Sequence, residues 1–208
     1  DLDVWCTEHP IGELDDWKTV DPAMGSTLRA GQVATYTLHF ENTGRAPVAI
    51  HRDDVLTRVL DDADVTTAPA ASSEALTVSE IVDGRFTVTG TLNPGESATV
   101  TYAVTIRPDG QRGDDRLDNF LVPNAENPPE GPCVPVDGER PDCTFTHVSD
   151  VSVAKSSDPV SGTKVNPGES VTYTLTCTNG SANPDAAPAA VDYTDHMAGV
   201  LDDAELVQ

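Results

Sequence analysis

Three side chains in this sequence carry complementary chemistry and fall where alternation predicts an apolar interior. Leu117, Asn119 and Leu121 share one strand parity, which places an amide among leucines. Asp54 is in phase with Val48 and Ile50, and Asp195 is in phase with Val191, Tyr193 and Met197. Lys155 points where Val151 and Val153 point, and Lys18 occupies the matching place earlier in the chain. Burying an unpaired ammonium or carboxylate costs several kcal/mol, so each needs a partner or an altered protonation state. Burial disfavours the ammonium, and a neutral Lys18 amine can attack the side-chain carbonyl carbon of Asn119. A protonated Asp54 can polarise that carbonyl and shuttle protons while ammonia leaves, giving a Lys18–Asn119 isopeptide bond. Fixed proximity supplies roughly 7 to 11 kcal/mol of such a barrier, enough for one slow turnover. Asp53 is the alternate acid, although Thr194 stands at its place in the second copy, which favours Asp54. A plainer arrangement uses the same residues: Lys18 snorkels or pairs with Asp54, and Asn119 bonds to backbone.

The elements that must position these groups come from a repeat. Asp21-Pro22, Gly25, Gly31 and Thr35-Tyr36-Thr37-Leu38 return as Asp158-Pro159, Gly162, Gly168 and Thr172-Tyr173-Thr174-Leu175, 137 residues later. After a four-residue insertion, Val59-Leu60-Asp61-Asp62-Ala63 returns as Val200-Leu201-Asp202-Asp203-Ala204. The reading is a tandem array, with residues 1–13 the exit of an upstream copy, 14–147 a nearly whole copy and 148–208 the first part of the next. Within the first copy, Ala34, Tyr36, Leu38 and Phe40 alternate with polar residues, as do Ala98, Val100, Tyr102, Val104 and Ile106. Leu76 to Ile81 and Phe86 to Leu92 flank Asp83-Gly84, a hairpin dipeptide, and Asn93-Pro94-Gly95-Glu96 has the residues of a type II turn. Residues 61–75 predict a surface connection with a short strand at Val65, Leu117 to Val122 predicts the last core strand, and a single helical turn is expected near Val55 to Leu60. Short strands with Gly/Pro turns make the fold class all-β: an immunoglobulin-like β-sandwich of two packed sheets, in tandem.

Lys18, the Gly31-to-Tyr36 unit, Asn42-Thr43-Gly44, Asp53-Asp54-Val55-Leu56, the Asn93-Pro94-Gly95-Glu96 turn and Leu117-Asp118-Asn119 together resemble repeat domains of bacterial cell-surface proteins. The resemblance is to isopeptide-forming fimbrial and adhesin stalk modules and related surface repeats of unknown function. It implies a bond between a strand Lys and a late-strand Asn beside a buried acid, which maps onto Lys18, Asn119 and Asp54, with Lys155 and Asp195 as second-copy equivalents. It further implies a stalk or spacer role outside the cell.

Composition is consistent with that setting. The 208 residues hold 35 acidic groups against 12 Lys plus Arg, a formal charge of -23. Such a surface repels nucleic acid and anionic lipid. No apolar run approaches the roughly 18 residues of a membrane span. Cys133 and Cys143 bracket a Pro- and Gly-rich stretch that cannot pack as a strand, so a disulfide is expected there and with it an oxidising compartment. Cys6 is expected to pair upstream of Asp1, and Cys177, at the place of Phe40, to be a buried free thiol. No His, Cys or carboxylate spacing predicts a metal site, and no catalytic signature predicts an enzyme. Three acidic groups, Asp61, Asp62 and Asp64, then Asp114, Asp115 and Asp118, then Asp202, Asp203 and Glu205, could each offer oxygens to Ca²⁺, which keeps a calcium-dependent or protein-binding adhesion module as the alternative. Expected partners are neighbouring repeats or a complementing strand from another chain.

Overall fold

The computed structural model describes residues 7–181, 183 and 189–207; Trp5 and Cys6 lie outside them. The alternating segment Val33–Asn42 (β3) buries every second residue, and its neighbours do the same, which is what two facing sheets require. One sheet has the order β1 (Leu14–Asp21), β3, β8 (Ser97–Ile106), β5 (Ala63–Ala71). The other has the order β2 (Thr27–Leu28), β10 (Cys143–Val148), β9 (Arg116–Pro123), β4 (Val48–Arg58), β7 (Arg85–Leu92), β6 (Leu76–Val78). The two pack as a β-sandwich of the immunoglobulin-like kind around Leu38, Val100, Val104, Phe86, Leu56 and Leu117.

The turns follow their sequences. Asp83 and Gly84 both take positive φ (51° and 72°), and Val82 and Arg85 exchange backbone hydrogen bonds, the geometry of a two-residue hairpin. Gly95 at φ 77° closes the turn that begins at Asn93, and Gly168 at φ 86° closes the same tetrapeptide in the second copy.

Three expectations change. Residues 63–71 form a full strand, β5, rather than a short one at Val65; it lies at the edge of its sheet, where the missing N–H of Pro69 can be tolerated, and its register slips twice against β8. Leu117 to Val122 is not the final core strand, because β10 follows and pairs antiparallel with β9. The turn after β4 has helical hydrogen bonds from Leu60 and Ala63 to residues four earlier, but the helix found among the described residues is α1 (Ala198–Leu201), at the repeat equivalent of that turn.

A second, smaller apolar cluster explains why β9 is buried on both faces. Val55, Phe120 and Val122 on the outer side of their sheet pack under Cys133, Cys143 and Phe145. The Cys133–Cys143 disulfide, with Cα atoms 5.8 Å apart, closes the segment that covers them. Lys18 N–H donates to Pro141 O, and Arg140 pairs with Asp15 and Glu41, so this segment is also fastened to β1 and β3.

Beyond Val148, β11 (Val151–Asp158) pairs with β12 (Thr172–Asn179) in the register that β1 keeps with β3: Lys155 faces Leu175 as Lys18 faces Leu38. Among the described residues no second sheet covers this pair. Cys177 is therefore exposed, contrary to the buried thiol that its alignment with Phe40 suggests. No helix among the described residues is long and apolar enough to cross a membrane.

Candidate functional site: a buried amine, acid, phenol and amide

Each sheet contributes to one polar group inside the first sandwich. β1 supplies Lys18 and β8 supplies Tyr102; from the opposite sheet β4 supplies Asp54 and β9 supplies Asn119. The pairing of Asp54 with Leu121 puts Asn119 diagonally across from Asp54 on the same face. All four side chains are sealed from solvent.

The contacts run in a chain. Lys18 Nζ lies 2.6 Å from Asp54 Oδ2. The Tyr102 hydroxyl donates to the same oxygen at 3.0 Å and accepts from Asn119 Nδ2. Lys18 Nζ also lies 5.5 Å and 5.8 Å from the ring centroids of Tyr36 and Tyr102, which stack on each other. Two oxygens of the group, Asp54 Oδ1 and Asn119 Oδ1, have no donor among the described residues.

Burial governs the protonation of the pair. It pushes the Lys18 ammonium down to about 8 against the raising effect of Asp54. It pushes Asp54 up from the usual carboxylate range, opposed by Lys18 and by the Tyr102 hydroxyl. For both partners the loss of water outweighs their mutual attraction, so the neutral amine and neutral acid lie closer in energy than in solution. Burial likewise raises Tyr102, keeping it a hydroxyl.

Asp53 points the other way and is engaged elsewhere. It accepts from Arg85 at 2.8 Å, Thr87 at 2.8 Å, Asn124 at 3.0 Å and the Ala125 N–H at 2.9 Å. Burial opposes it, yet these four donors hold its carboxyl down to about 2. An acid that keeps its charge so firmly cannot lend a proton.

In the second copy Lys155 Nζ meets Asp195 at 2.7 Å and 2.9 Å and sits 4.8 Å from the Tyr173 ring, with both partners partly exposed. The pairing of amine and acid is thus made by the repeat itself, while its enclosure requires the second sheet.

Tyr102 is the member that alternation hides. Its place among Ala98, Val100 and Val104 marks it as one more core residue. The available signal is that Tyr36 and Tyr102 are directly opposed in register, two hydroxyls entering a core that already receives Lys and Asp.

Known proteins divide as follows. The sequence model of a family described as a domain of unknown function, DUF7927, matches residues 13–148 and again 150–208. The chain belongs to the DUF7927 family. No curated protein matches it. Among solved structures, the DUF7927 chain is similar to the major pilin subunit BcpA of Bacillus cereus, at 9% identity over 69% of this chain and 42% of that one, with a TM-score of 0.45. It is similar to the 35 kDa C-terminal fragment of the major pilin GBS80 of Streptococcus agalactiae, at 11% identity over 68% and 57%, TM-score 0.39. The third is the Corynebacterium diphtheriae major pilin SpaA, at 15% identity over 70% and 40%, TM-score 0.33. The DUF7927 chain spans less than two thirds of each of these.

Proposed function

We propose that this chain is a structural stalk or spacer module of a secreted or cell-surface protein, made of tandem sandwiches, whose first copy ties itself together through a Lys18–Asn119 isopeptide bond. The observation that carries the proposal is the sealed chain of contacts from Lys18 through Asp54 and Tyr102 to Asn119. A core built for stability alone has no use for an amine and an acid, since well-packed apolar residues of similar volume are as good or better.

The reaction begins with transfer of the Lys18 proton to Asp54, which burial favours from both sides. The neutral Nζ then attacks Asn119 Cγ, forming the new C–N bond. Asp54 donates toward the developing oxyanion, and the Tyr102 hydroxyl holds Nδ2 in place. As the intermediate collapses the Cγ–Nδ2 bond breaks, and Nδ2 leaves as ammonia with the proton relinquished by Nζ. Nothing is oxidised or reduced, no cofactor is consumed and the turnover is single.

The two family matches support the tandem arrangement, and the exposed Tyr173, Leu175 and Val191 support completion of the second copy by further strands. Peptide mapping of the folded, disulfide-reduced chain tests the bond. A branched species uniting the Lys18 peptide with the Asn119 peptide is expected, absent from Lys18→Ala and from Asn119→Ala. Recovery of both peptides as separate linear species from the unaltered chain would leave a generic spacer.

A further inference from the structure

A second group of carboxylates lies apart from the core site, at one end of the same sandwich. The turn after β4 brings Asp61 and Asp62, and the loop between β8 and β9 brings Asp114. One carboxylate oxygen of each lies within 4.8 Å of the other two. Acidic neighbours on an acidic surface mean little alone, but Asp62 is not on the surface. It is fully buried, its Oδ1 accepts the N–H groups of Gly113 at 3.0 Å and Asp115 at 3.1 Å, and its Oδ2 is enclosed with no donor among the described residues.

The surrounding cations do not fill that need. Arg107 gives its donors to the Asp61 backbone oxygen and to Asp64, and Arg112 gives its own to Asp109, Asp115 and backbone oxygens. A buried carboxylate with one oxygen lacking a donor, standing beside two further carboxylates, is an arrangement that a bound cation would satisfy. A Cβ on Gly113 would fall 2.7 Å from Asp61 Oδ2, so glycine lets the loop lie against the Asp61 side chain without displacing it.

We propose that Asp61, Asp62 and Asp114 form a Ca²⁺ site. Calcium, with oxygen ligands at about 2.3–2.6 Å in a flexible shell, accommodates three carboxylate oxygens within 4.8 Å of one another. Magnesium demands near-ideal octahedral geometry at about 2.0–2.1 Å and gives up its waters reluctantly, which three protein carboxylates on two loops serve less well. Water and backbone oxygens complete the shell. The Asp61-Asp62 pair recurs as Asp202-Asp203, so it belongs to the repeat unit.

Occupancy has a consequence along the chain. The loop that carries Asp114 also carries Arg112, whose guanidinium reaches Ser149 O at 3.3 Å and Asp150 at 3.4 Å at the start of the second copy. Calcium would fix the loop that grips the junction between copies. The site shares no residue with Lys18, Asp54 or Asn119, so either proposal can fail without the other.

The full chain, stripped with chelator, is titrated with CaCl₂ or MgCl₂ at matched ionic strength and followed by calorimetry and thermal melting. Calcium binding with Kd of about 10⁻⁴–10⁻³ M is expected, as in extracellular modules, with a Tm rise of about 3–6 °C at about 10 mM and a smaller rise with magnesium. Asp114→Asn keeps the acceptor for the Arg116 N–H while removing one negative charge from the cluster, and it should weaken calcium roughly tenfold. Asp62→Asn should do the same to binding. Absence of binding heat, or equal Tm rises with both ions that persist in both variants, would overturn the site.

Discussion

A buried oxygen without a donor costs about 1–3 kcal/mol, and Asp54 Oδ1 and Asn119 Oδ1 are two of them within one group. A single proton on Asp54, shared with Asn119 Oδ1, would satisfy both and would place the acid where the proposed attack needs it. Tyr102 ties the same two residues together from the other side. Tyr102→Phe would therefore strand Asn119 Nδ2 in the chain before cross-linking, and it should slow cross-linking after refolding, read as a slower fall in intact mass. Asp54→Asn should abolish the cross-link while keeping the shape of the site. Asp53 gives a separate expectation. Its folded carboxyl titrates near 2 and its unfolded one near 3.8, so as pH falls the unfolded chain takes up the proton first. The resulting stability, about 2 kcal/mol, is whole above the unfolded value and is lost as pH falls through about 2. Asp53→Ala should remove that part of the acid dependence, read from urea midpoints between pH 5 and pH 2. Charge type and strand parity make Lys18, Asp54 and Asn119 legible in the sequence. Tyr102 is not, because a phenol in an alternating run reads as an apolar ring until its hydroxyl is seen to meet an acid.

At the scale of elements, β3 and β8 can be read directly, since one face is buried and the other is not. β5 cannot, because an edge strand rich in Ala and Thr with two slips in register lacks a clean alternation. β10 is hidden for the opposite reason: Thr144 and Thr146 are buried, so polarity misreports their side. What buries the outer face beside β10 is the segment closed by Cys133 and Cys143, a tertiary cover that no local pattern announces. Cys177 shows the same dependence. Its parity with Phe40 holds, but burial comes from the facing sheet, and among the described residues β12 has none. Replacing Cys133 and Cys143 with Ser should cost about 2–3 kcal/mol in denaturant unfolding, and faster amide exchange is expected in β10 before the rest of the sandwich. Exchange in β10 unchanged by the replacement would mean that apolar contacts alone hold the cover.

Across the whole molecule, the proposed bond would join the two sheets near their entry and exit strands. Load arriving at β1 would pass to β9 through covalent bonds, bypassing the hydrogen-bonded ladders between them, and the disulfide would shield the loop that follows. Only short stretches outside these two closures could then extend under force. The junction to β11 is held by polar contacts: Ser181 Oγ donates to Val148 O at 2.9 Å, and Arg112 reaches Asp150. Repeat units with covalently closed interiors and polar joints suit a spacer that transmits tension while bending between copies. The intact mass of the folded, disulfide-bonded chain tests this account most directly. It should fall short of the disulfide-corrected sequence mass by one ammonia, with the deficit gone in Lys18→Ala, Asn119→Ala and Asp54→Asn. A full mass in the unaltered chain, after prolonged incubation in the folded state, would contradict it.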